Sequence, residues 1–69
     1  MLRLRVRAVA EAKGYTVLRL HREAGISYEA VLKYWHGNIR RIDIKTLNAL
    51  AKALQVSSLD LLEEVDEAR

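Results

Sequence analysis

Residues 16–37 read Thr16-Val17-Leu18-Arg19-Leu20-His21-Arg22-Glu23-Ala24-Gly25-Ile26-Ser27-Tyr28-Glu29-Ala30-Val31-Leu32-Lys33-Tyr34-Trp35-His36-Gly37, and the spacing inside this run decides the fold. Thr16 has a side-chain oxygen suited to an N-cap, and Val17, Leu20, His21 and Ala24 then fall on one face of a helix of about ten residues before Gly25 stops it. Ser27 is a second N-cap, after which Val31 and either Tyr34 or Trp35 give the inward spacing of a helix of about nine residues closed by Gly37 and Asn38. Only Gly25 and Ile26 separate the two helices from end to cap. A connection that short is a sharp corner, and glycine takes the positive φ that such a corner asks for.

Towards the N-terminus, Met1 to Arg7 alternates apolar and basic residues, which predicts a short strand at about residues 2–5. From Val6 the spacing Val6, Val9, Ala10 turns helical and runs to Gly14. Arginines at a helix N-terminus oppose its macrodipole, so Arg3 and Arg5 are expected outside that first helix. Towards the C-terminus, Ile39 to Asp43 is extended and basic, with Ile42 placed to pair as a strand with Leu2 to Leu4. Asp43 caps a fourth helix whose inner face is Ile44, Leu47, Leu50, Ala51 and Leu54. Ser57 and Asp60 form a capping-box variant that opens a fifth helix through Leu59, Leu61, Leu62 and Val65, with Glu64 to Arg69 expected to fray. The expected fold is all-α, five helices with a short N-terminal strand.

The totals bound the function. Sixty-nine residues give one domain, 1–69, and with no Cys it is held by packing alone. A domain of this size buries only ~60% of its unfolded surface, so a second copy would help to stabilise it. Residues 1–45 hold ten Lys or Arg against four Asp or Glu, and residues 46–69 hold two against five. A basic front and an acidic tail suggest one surface meant for a polyanion. No run of apolar residues approaches a membrane span, and the basic N-terminus lacks the apolar block of a signal peptide, so a cytoplasmic location is expected. His21 and His36 stand fifteen positions apart with no Cys and no carboxylate pair, so no metal is expected. No nucleophile–base arrangement or phosphate-binding loop occurs, which argues against an enzyme and against a cofactor. Tyr34 and Trp35 read as core and rim in preference to a stacking platform for single-stranded bases.

The run from Thr16 to Asn38, with Leu47-Asn48-Ala49-Leu50-Ala51-Lys52-Ala53-Leu54-Gln55-Val56 and Leu59-Asp60-Leu61-Leu62, resembles the Cro/C1-type (XRE) helix-turn-helix family over roughly residues 5–63. The resemblance implies a lambda-repressor-like fold with its helix-turn-helix core at 16–36. It also implies a repressor-like regulator that lays a recognition helix, 27–35, in the major groove of double-stranded DNA, as a homodimer using the fifth helix or the N-terminal strand. Carried over residue by residue, the base-facing positions are Tyr28, Glu29, Leu32 and Lys33. Lys33 can donate to guanine, Glu29 can accept from cytosine, and Tyr28 or Leu32 can meet thymine methyls. Phosphate contacts fall to Thr16, the backbone amide of Val17, Ser27, His36, Asn38, Arg40 and Arg41, whereas Arg19 is expected to pair with Glu23 at i,i+4. Three departures stand out. Val17 replaces a polar residue that touches DNA in relatives. His21 replaces a small residue at the crossing of the two helices, which widens the crossing or turns the imidazole outward. Leu18 and Leu32 put apolar groups at usually polar positions, which favours a second reading: an antitoxin-like module that holds a protein partner.

Overall fold

The alternation Leu2-Arg3-Leu4 forms strand β1 (Leu2–Leu4) in the computed structural model, which describes residues 2–37 and 40–64. Its partner is β2 (Leu62–Glu64), antiparallel, with Arg3 opposite Glu63 and Leu4 opposite Leu62. The ladder continues where the Arg5 N–H donates to the Leu61 carbonyl at 2.7 Å. Across it the Arg3 guanidinium stands 3.4 Å from the Glu63 carboxylate on the solvent side. Leu4 and Leu62 pack against the core.

This clasp corrects two expectations. The partner of the first strand is β2 and not Ile42, which instead packs on the core just ahead of the Asp43 cap. The fifth helical element is a single 3-10 turn, Ser58–Leu61, and the chain becomes extended at Leu62, where φ is −120° and ψ is 146°. The reason lies in periodicity, since residues three apart share a helix face. Leu59 is 75% exposed, and a continued helix would swing Leu62 towards that side; extension leaves Leu62 beside Leu4. The turn itself starts as the sequence says, with Leu59 N–H donating to Ser57 Oγ and Ser57 N–H donating to Asp60 Oδ2, both at 3.2 Å. Val65, assigned to the same helix, lies outside the described residues, as does the segment said to fray beyond Glu64.

Four α-helices lie between the strands: α1 (Val6–Ala12), α2 (Val17–Ala24), α3 (Tyr28–His36) and α4 (Ile44–Leu54). Three of them start on the predicted caps. Thr16 Oγ1 accepts from Arg19 N–H at 3.1 Å, Ser27 Oγ from Ala30 N–H at 3.2 Å, and Asp43 Oδ1 from Lys45 N–H at 3.1 Å. At the corner Gly25 has φ +70°, the left-handed conformation that ends α2 and lets Ser27 begin α3 two residues later. Arg5, at the head of α1, has no side-chain cap, and α1 is the shortest of the four helices.

The inner faces converge on one core of Val6, Ala10, Leu20, Val31, Tyr34, Leu47, Leu50, Ala51, Leu54 and Leu61, but Ile44, expected on the inner face of α4, is 63% exposed at the first position of that helix. Of the two candidates Tyr34 and Trp35, the core takes Tyr34, beside Val31, and Trp35 is half-buried at its rim. Two tyrosines tie helices together by their hydroxyls. Tyr34, 6% exposed, accepts from the Asp43 N–H at 2.8 Å and so fastens the end of α3 to the cap of α4. Tyr15 shares its hydroxyl proton between Glu23 Oε1 and the Ala53 carbonyl, both at 3.0 Å, which satisfies one of the last open carbonyls of α4. Among the described residues no helix is long and apolar enough to cross a membrane.

Candidate nucleic-acid interface

Helical geometry sorts α3 into two sides. Val31 and Tyr34 are buried, Ala30 and Trp35 sit at the flanks, and Tyr28, Glu29, Leu32, Lys33 and His36 form the outward stripe. Four of these five are the positions expected to face bases, and the fold brings them together on one side. Tyr28 is 45% exposed at the first position of the helix, Glu29 and Lys33 are exposed, and Leu32 is half-buried. The first turn of α3 is therefore free to enter a groove.

Around it, α2 and α3 present capped N-termini. In each the hydroxyl oxygen of the cap accepts a backbone N–H, while the hydroxyl proton remains available to a phosphate oxygen. The Val17 side chain, partly buried, packs against the core. Arg40 and Arg41 are exposed in the connection from α3 to α4, anchored at its far end by the Tyr34 bond to Asp43. Asn38 lies outside the described residues.

His36 is the outlier of the set. It sits at the opposite end of α3 from Tyr28 and lines a groove of about 440 Å³ with Arg3, Leu4, Arg7, Trp35 and Gly37. Arg3 and Arg7 were not expected in its company. The signal was hidden because their approach depends on how β1 and α1 lie against the end of α3, which no local spacing reports.

On α2, Arg19 pairs with Glu23 as expected, Nε to Oε2 at 3.0 Å, and its guanidinium also stacks 4.1 Å from the centre of the Tyr15 ring. The Arg19 hydrogen bond, helped by that of Tyr15, holds the Glu23 carboxyl below its ordinary value. The same carboxylate raises the Tyr15 phenol. These contacts engage Arg19 within the protein. Leu18, on the same helix, is 49% exposed.

His21 does not turn fully outward: half-buried, the imidazole folds over the corner, where Nδ1–H donates to the Ile26 carbonyl and the ring meets Tyr28 edge to face.

Comparison with known proteins agrees with this geometry. The sequence signature of the Cro/C1-type HTH DNA-binding domain matches residues 5–67. No curated protein is similar enough in sequence to count as a match. Among solved structures, a Bacteroides fragilis protein described as DNA-binding by inference superposes with a TM-score of 0.78 at 21% identity, covering 91% of this chain and all of its own. SinR, the master regulator for biofilm formation, crystallised in complex with DNA, superposes with a TM-score of 0.72 at 22% identity, covering 80% of this chain and 87% of its own. At such identities the likeness is one of fold.

Proposed function

The chain belongs to the Cro/C1-type helix-turn-helix DNA-binding family, and on that premise we propose that it is a sequence-specific, repressor-like regulator of transcription that reads duplex DNA with the outer stripe of α3. The observation that carries this reading is the grouping of Tyr28, Glu29, Leu32 and Lys33 on the exposed side of a helix whose first turn stands clear of the core. In the major groove Lys33 donates to guanine O6 or N7, Glu29 accepts from cytosine N4, and Tyr28 and Leu32 cover thymine methyls. Thr16, the Val17 amide, Ser27, His36, Arg40 and Arg41 hold the phosphates, with Asn38 assigned alongside them.

The protein acts as a homodimer on two half-sites about one helical turn apart. A dimer that engages ~8 phosphates loses affinity with a log-log salt slope near −7, about four decades between 50 and 200 mM salt. The experiment that tests the reading is selection of bound sequences from a random duplex pool at ~50 mM salt, which keeps phosphate contacts strong. Enrichment of an inverted repeat is the expected result, and recovery of unenriched sequence overturns it.

A second reading is favoured by Leu18, a large apolar side chain on α2 left half in solvent. In that reading the same domain is antitoxin-like and holds a protein partner. Lys33→Glu with Arg40→Glu separates the two: the regulator loses DNA, whereas a protein-holding module keeps its partner.

A further inference from the structure

Tyr28 occupies the first position of α3, and no protein group among the described residues hydrogen-bonds its hydroxyl. What fixes the ring is His21. The ring centres lie 5.9 Å apart with their planes at 88°, the edge-to-face arrangement that aromatic quadrupoles favour. His21 is itself fixed. Its Nδ1 faces the Ile26 carbonyl, which can only accept, so Nδ1 carries the proton and donates it there. Ile26 is the residue between the left-handed Gly25 and the Ser27 cap, so the imidazole is fastened to the corner that sets the angle of α3.

We propose that His21 is a specificity-determining residue that never touches DNA: anchored on the Ile26 carbonyl, its ring walls one side of Tyr28 and holds that side chain ready for a thymine methyl. This rests on the reading of Tyr28 as a base contact. The physical gain is preorganisation. An unsupported tyrosine turns about two side-chain bonds, and docking would have to freeze it; here one side is already closed while 45% of the residue stays open to the groove. Sparing one side chain that immobilisation on docking corresponds to about a 2- to 10-fold difference in affinity.

The test uses the operator obtained by selection and a variant that keeps the anchor. In His21→Asn the side-chain amide can still donate to the Ile26 carbonyl, but the ring is gone. The expected result is a protein that still folds, its melting temperature lowered by about 2–12 °C as the aromatic contact is lost, and a 2- to 10-fold loss of operator affinity measured well below that temperature. Preference for thymine over deoxyuridine, which lacks the methyl, weakens at one base pair per half-site. In a Tyr28→Ala background, His21→Asn adds nothing further. Operator binding unchanged in His21→Asn, or an equal loss with and without Tyr28, overturns the proposal. If Tyr28→Ala alone leaves affinity and thymine preference intact, the base-contact reading of Tyr28 falls and takes this inference with it, while DNA binding stands. A measurement on the free, unmodified protein is independent of folding in any variant: cross-relaxation between His21 and Tyr28 ring protons is expected, and its absence refutes the arrangement.

Discussion

Tyr34 is the residue whose loss should be felt furthest from its own side chain. Its hydroxyl is the acceptor for the Asp43 N–H in a partly buried bond. Tyr34→Phe keeps the ring in the core and strands that donor, at a cost of about 1–2 kcal/mol. In a domain of this size thermal unfolding should register the change as a fall of about 4–8 °C per kcal/mol. Operator affinity should fall as well, because the bond anchors the segment that carries Arg40 and Arg41. Glu23 makes a different prediction. Its pKa is depressed in the folded protein, chiefly by Arg19, so the stability it contributes is present above the ordinary glutamate value of 4.5 and is lost as pH falls through the lower, folded value. Glu23→Gln should therefore be less stable than the unmodified protein at neutral pH, with the gap closing in acid. Melting curves between about pH 7 and pH 3 would reveal it; a gap that persists unchanged through that range means the carboxylate is not what Arg19 and Tyr15 recognise.

Among the elements, α4 ends in an unusual way. Gln55 takes φ +60°, the left-handed cap conformation that Gly25 and Gly37 adopt after α2 and α3. A side chain there is strained by about 1–2 kcal/mol, whereas glycine would avoid the strain but lose more freedom on folding. Gln55→Gly should net a stabilisation of about 0.5–1 kcal/mol, read as a higher melting temperature with operator binding unchanged. At this scale much of the protein was legible in its sequence. Thr16, Ser27 and Asp43 start their helices because a short side-chain oxygen reaches a backbone N–H two or three residues on, a contact set entirely by local sequence. The outward stripe of α3 was legible through the family resemblance, which picked out Tyr28, Glu29, Leu32 and Lys33, and helical period agrees in putting them on one side. Residues 59–62 were not legible. Leu59, Leu61 and Leu62 fit a short helix as well as a turn and a strand, and what decides between them is Leu4, far away in the chain. His21 escaped for a related reason: its partner is a carbonyl exposed only once Gly25 has made the corner.

For the molecule as a whole, the division of labour follows the charge. The basic half supplies α2, α3 and the arginine-bearing connection, while the C-terminal part supplies the face of α4 and the turn at Leu61 that close the core behind them. The clasp of β1 with β2 has a consequence in time. The helix corners join residues close in sequence, but Leu2 meets Glu64 only by closing a loop of roughly sixty residues. Loop closure on that scale is entropically late, so the helices should condense first and the clasp should shut after the barrier has been crossed. Leu62→Ala, which removes part of the half-buried contact and costs about 1–2 kcal/mol, should then leave the refolding rate nearly unchanged and speed unfolding about 5- to 30-fold. Stopped-flow refolding and unfolding limbs would show it, and a refolding rate that drops by the same factor would place the clasp in the nucleus instead. If the clasp does shut last, it is also the first contact to open, and the lifetime of the folded regulator is set by six residues that lie outside its helices.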